Sequence, residues 1–326
     1  MTEPPAGPRT SRIRRLLVLT LQLLATGLVT WFILRAVGLS VEELGRLDVS
    51  VLDLRWGGLA LASVLLLLAY LYSAALWGVM VRELGGPRIG LVPALRIFFT
   101  GNLGRYLPGK VWQVAGVAYL ARGQGVTPAT ATGSALLGQA FSLAGATVVG
   151  LGVFLGQGGW GPEMGGGWTA MVLLALVIVL TMPGILKPLL SLWFRLLQGK
   201  IPSGFRPDQV FGVRWVLLYV PGWVLQGAAF WILARSLGMA LTATTGLSVY
   251  PAAYVLGYVM VFAPAGIGVR EGFLIVLLEP ILGAGGAVLA VVARIWTTIL
   301  ELIPALVLAG GYAGFPGRRE GEDIGE

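Results

Sequence analysis

Two stretches of this chain carry the residue types from which a binding site could be built. The first runs Gly101-Asn102-Leu103-Gly104-Arg105-Tyr106-Leu107-Pro108-Gly109-Lys110-Val111-Trp112-Gln113, and the second runs Phe262-Ala263-Pro264-Ala265-Gly266-Ile267-Gly268-Val269-Arg270-Glu271-Gly272. Each places a proline and glycines beside charge in otherwise apolar surroundings. Proline and glycine interrupt the helical hydrogen-bond ladder. At membrane depth the freed backbone groups must then be buried in protein or line a wet cavity. The chemistry that fits is recognition of an anion such as a phosphate. Arg105, Lys110 and Arg270 would supply charge, Asn102, Tyr106 and Gln113 hydrogen bonds, and Pro108, Gly109, Pro264, Gly266 and Gly268 the breaks. Helix N-termini after each break would add partial positive charge. Glu271 would neutralise Arg270 when the site is empty.

A plainer account stands beside each of these. Arg105 and Lys110 also suit a cytoplasmic loop that obeys the positive-inside rule, and Asn102, Gln113, Gln139 and Gln226 suit hydrogen bonding between helices. Glu279, Arg294 and Glu301 form a third group. Arg294 and Glu301 are seven residues apart, which puts both on one helix face, with Glu279 as a third member. An internal ion pair and a proton relay both fit that group.

Catalytic alternatives are poorly supplied. The chain has no cysteine and no histidine, so it offers no thiol nucleophile, no thiolate metal site and no imidazole base. No phosphate-binding loop, dinucleotide fingerprint or zinc-hydrolase motif is present. The expectation is a protein that is not an enzyme, with no catalytic residue, no cofactor and no metal.

The elements that must position these residues follow from composition. Apolar residues make up 56% and charged residues 12% of the 326 residues, about half the usual charged share. That describes an all-α, polytopic integral membrane protein. The net charge of +8 would suit nucleic acid, but the basic residues lie at the ends of apolar spans, so no nucleic-acid partner is expected.

Met1 to Arg15 reads as a basic, disordered arm. Leu16 to Leu34 exceeds the roughly 7–15 residues of a signal-peptide core and reads as a first helix with its N-terminus in the cytoplasm. Further spans are expected at Gly57–Val81, Ala129–Leu155, Trp168–Leu186, Trp215–Ala234, Leu247–Phe262 and Ala287–Ala313. Pro128 is placed to start a helix, and Leu189–Leu197 to lie along the interface as an amphipathic helix. Leu91–Thr100 and Val111–Ala121, either side of the first break, are too short to cross and read as a broken or re-entrant hairpin. Small residues such as Gly133, Gly138, Gly145 and Gly150 suit close helix packing.

The expected architecture is one membrane domain over residues 16–313, with halves at about 16–198 and 215–313 and a polar tail at 314–326. It has about eight transmembrane helices and two Pro/Gly-broken or re-entrant elements. Pro108 and Pro264 lie nearly half the chain apart, which suggests an internal two-fold repeat.

The blocks Asn102 to Lys110 and Pro264 to Gly272, with the order of spans from Leu16 to Ala313, resemble the two signature stretches of the lysylphosphatidylglycerol synthase transmembrane region family. The resemblance implies a flippase-like membrane domain in a bacterial or archaeal plasma membrane, here without the soluble synthase domain. The function it implies is movement between leaflets of an anionic phospholipid or a polyprenyl-phosphate-linked lipid. Membrane lipids would be the partners, with the two broken elements forming the site. The competing reading is a scaffold that binds a glycosyltransferase or synthase and transports nothing.

Overall fold

The computed structural model describes residues 54–106, 111–156, 174–175, 177–198, 205, 211–259 and 269–310. The basic arm, the first helix at Leu16–Leu34, the loop residues Pro108, Gly109 and Lys110, the break residues Pro264, Gly266 and Gly268 and the polar tail lie outside the described residues. At Arg105 and Tyr106 only the backbone is described.

Every regular element among the described residues is a helix. In chain order they are α1 (Trp56–Glu83), α2 (Leu91–Asn102) with a 3₁₀ turn at Leu103–Tyr106, α3 (Val111–Arg122) and α4 (Pro128–Gly156). Then come α5 (Pro183–Gln198), α6 (Phe211–Ser236), α7 (Ala243–Val259), α8 (Val269–Leu282) and α9 (Gly285–Gly310). Four segments are long and apolar enough to cross a bilayer: Trp56–Glu83, Pro128–Leu151, Phe211–Ser236 and Gly285–Leu308. They fall on four of the spans expected from hydropathy.

The helix ends have local causes. Pro128 opens α4, where its missing N–H costs nothing, and Thr127 Oγ1 accepts the Thr130 N–H at 3.3 Å. Thr242 does the same for α7 by accepting the Thr245 N–H at 3.3 Å. This cap starts α7 at Ala243, earlier than the span expected from Leu247. The helix expected to run on to Leu186 breaks instead at Met182, because Pro183 has no N–H to donate and α5 starts there.

The outer surface is that of a protein in lipid. Ile295, Ile299, Ile303 and Val307 recur every fourth residue along α9 and are all exposed, as are Leu61, Val64 and Leu68 on α1. In water such stripes would be an aggregation hazard. In a bilayer they face acyl chains, and the helices are held by close packing and hydrogen bonds.

Packing confirms the role of small residues on α4. A Cβ on Gly145 would lie 2.9 Å from the Tyr219 Cβ of α6, and one on Gly150 would lie 3.1 Å from the Ala252 Cα of α7. Helices α1 and α6 run antiparallel and are tied at both ends. The Arg55 N–H donates to the Ser236 carbonyl at 2.9 Å. At the other end Glu83 Oε2 accepts Arg214 Nη2 at 2.8 Å and Trp215 Nε1 at 3.0 Å.

Two hairpins of short helices complete the bundle. Helices α2 and α3 have 12 residues each, about 18 Å of rise against roughly 30 Å of hydrocarbon. They pack antiparallel, with Gly101 against Val117 and Gly104 against the Trp112 backbone. Helices α7 and α8 form the second pair, with Gly257 against the Arg270 backbone. Both pairs lie either side of the breaks read from the sequence.

Candidate functional site

The first turn of α8 carries Arg270 and Glu271 directly after the second break. Glu271 is 1% exposed, and its Oε1 accepts from Arg270 Nη2 at 2.9 Å and Nε at 3.2 Å, and from Arg294 Nη1 of α9 at 3.4 Å. Its Oε2 accepts no hydrogen bond among the described residues. One buried carboxylate therefore serves two guanidinium groups, and the trio retains a net positive charge. An acidic residue in the first turn also meets the positive end of the helix dipole.

Arg270 reaches away from this trio as well. Its Nη1 donates to the Tyr250 hydroxyl at 3.4 Å, and its Cζ lies 5.6 Å from the Tyr250 ring centroid. Tyr250 in turn packs on Phe230 of α6 with ring centroids 5.1 Å apart. The guanidinium is thus held by α7 on one side and by Glu271 on the other.

Arg270 forms part of the wall of a cavity of about 140 Å³. One water needs roughly 10–15 Å³ by the same kind of measure, so the space holds a cluster of waters or a ligand group. The first hairpin contributes Asn102 and Gln113 to the wall, the second Tyr250, Tyr254, Tyr258 and Arg270. Gln113 Nε2 donates to Asn102 Oδ1 at 2.6 Å, so these amides both tie the hairpin and face the cavity. Glu301 of α9 lines the space too and accepts the Tyr70 hydroxyl of α1 at 3.0 Å.

The fold therefore brings Asn102 and Gln113, from beside the first break, to one cavity with Arg270, from beside the second. Glu271 and Arg294 lie behind that wall as Arg270's electrostatic support. The tertiary structure gives Arg294 a partner in Glu271 on α8. Glu279 is exposed near the end of α8 and is not among the cavity's lining residues. Among the described residues no three acidic, His or Cys side chains converge as a metal site would require.

Sequence reasoning missed the aromatic part of the lining. Tyr250, Tyr254 and Tyr258 recur every fourth residue along an uncharged segment. That spacing places three hydroxyl-bearing rings on one face of α7 and could have been noticed. Trp223 had no such signal, since tryptophans at span ends throughout the chain obscure it.

Lipid-facing stripes around spanning helices, together with a polar cavity lined by those helices and by both short-helix hairpins, define a multi-pass helical membrane protein with an internal polar site. The family model for the lysylphosphatidylglycerol synthase TM region matches residues 19–307, and the chain belongs to that family. No curated protein and no solved structure matches it.

Proposed function

We propose that this protein is a lipid translocase, not an enzyme, and that it moves an anionic phospholipid or a polyprenyl-phosphate-linked lipid between leaflets of a bacterial or archaeal plasma membrane. The observation that carries this reading is the cavity itself, whose wall includes Arg270 of the second hairpin and Asn102 and Gln113 of the first, inside a bundle with an apolar exterior. Family membership supports a membrane role connected with lipids. A cation in such a place is costly and is kept where it serves a pathway or a partner. The headgroup sits at Arg270 while the tail stays in the surrounding lipid. The two hairpins act as equivalent halves of an internal repeat, and rocking of one against the other exposes the site to each leaflet in turn. The N-terminus lies in the cytoplasm, and Arg105 and Lys110 guide the headgroup at the first break.

The test is translocation of fluorescent phosphatidylglycerol in proteoliposomes, read by how much label an impermeant quencher reaches. Arg270→Ala should abolish movement while the protein stays folded, because Glu271 keeps Arg294 at 3.4 Å. A folded Arg270→Ala protein that moves the lipid at the wild-type rate overturns the reading.

A further inference from the structure

The cavity wall away from Arg270 is not that of a site for a bare anion. Trp223 of α6 and Tyr254 of α7 lie with ring centroids 4.6 Å apart, and Tyr254 stacks on Tyr258 at 6.2 Å with 22° between the rings. All three line the cavity, as do the amides of Gln139 and Gln226. Gln139 Nε2 donates to the Tyr254 hydroxyl at 3.4 Å, which leaves its amide oxygen and second N–H for another partner. Gln226 stands near the middle of the 26-residue α6 and makes no side-chain hydrogen bond to another described residue. A polar group at that depth needs a partner, and it faces the cavity.

These features together select a ligand chemistry. An amide side chain donates and accepts at once, and so does a hydroxyl group. Aromatic rings offer faces against which the C–H faces of a ring polyol pack, with polar tips left for hydrogen bonds. A phosphate alone accepts but does not donate, so it would leave the amide oxygens of both glutamines without a donor. An ammonium headgroup would use only acceptors and would be repelled by Arg270.

We propose that the cavity takes a headgroup joining an anionic phosphate, held at Arg270, to a sugar or other polyol, held by Gln139, Gln226 and the Trp223–Tyr254 pair. This rests on the translocase reading and specifies its substrate class. The polyol group would set specificity and the phosphate would set the basic affinity.

The experiment uses the full chain in detergent and measures binding of dihexanoyl lipids that differ only in the headgroup: phosphatidylinositol, phosphatidic acid and phosphatidylethanolamine. Lipid-free inositol 1-phosphate serves as a fourth probe. Phosphatidylinositol should bind more tightly than phosphatidic acid by about threefold or more, the scale of one net hydrogen bond. Gln226→Ala should remove that preference without weakening phosphatidic acid, and it removes no hydrogen bond made among the described residues, so the fold is spared. Gln139→Ala should act in the same direction, and Arg270→Ala should weaken both lipids. A smaller preference, or a full preference retained in Gln226→Ala and Gln139→Ala, overturns the polyol assignment. If Arg270→Ala still weakens both lipids in that case, the anionic-lipid reading stands alone. Tightest binding of phosphatidylethanolamine overturns both. Inositol 1-phosphate bound as tightly as phosphatidylinositol assigns the site to a soluble polyol phosphate and overturns the lipid assignment.

Discussion

The Tyr70 hydroxyl on α1 donates to Glu301 Oε1 on α9 at 3.0 Å, joining residues 231 positions apart at the rim of the polar cavity. Tyr70 is buried, with its ring edge-on to Phe99 of α2 at 5.9 Å. The contact ties α1, α2 and α9 at the level where Glu301 needs a donor.

Tyr70→Phe keeps the ring packing and removes that donor. A hydrogen bond to a charged group is worth roughly 1.5–3 kcal/mol, so the variant should unfold at a clearly lower temperature in detergent. Combined with Glu301→Gln in a double-mutant cycle, the two losses should be less than additive. Additivity within about 0.5 kcal/mol would show that the pair does not couple.

Glu271→Gln addresses the trio behind the cavity. It leaves Arg270 and Arg294 facing each other across a neutral amide in a site where the carboxylate was 1% exposed. Breaking a buried pair in this way costs about 3–5 kcal/mol. Arg294→Gln alone should cost less, because Arg270 stays at 2.9 Å from Glu271. Adding Arg294→Gln to Glu271→Gln should recover part of the lost stability. Thermal unfolding of the three variants checks the order, and equal losses for both single variants would contradict the bridging role of Glu271.

Gly257 and Gly272 make a matched pair around the second break. A Cβ on Gly257 would sit 2.9 Å from the Arg270 Cα, so Gly257→Ala must push α7 from α8. Overpacking of this kind costs typically 1–3 kcal/mol, and it moves Arg270, so both stability and lipid movement should fall. A Cβ on Gly272 meets nothing within 4 Å. Gly272→Ala in the helix interior should be neutral or stabilising by up to about 1 kcal/mol. Comparing unfolding temperature and transport rate of the two variants tests the close approach, and equal behaviour would argue against it.

Much of the fold was legible without coordinates. Uncharged runs of spanning length located α1, α4 and α6, and a long apolar run holding Arg294 and Glu301 located α9, because lipid forces backbone groups to pair within the segment. The small residues of α4 were legible as a packing face for the same reason. Boundaries that depend on one residue's backbone chemistry were less clear. Thr242 starts α7 earlier than hydropathy suggests, and Pro183 ends a helix in mid-run. The site was legible only as two charged breaks. Arg270 and Glu271 stood out because membrane charge is rare, whereas Gln226 looked like ordinary glue between helices and Tyr254 was passed over.

Composition and spacing therefore determined that this chain is a bundle of helices in lipid. That follows from local physics, namely the cost of exposed backbone in apolar surroundings. The tertiary structure decided which polar side chains come together: Asn102 and Gln113 on the wall of one cavity with Arg270, Tyr70 bonded to Glu301, Arg294 to Glu271. Partners across helices are set by how the helices pack, and hydropathy along the chain carries no measure of that.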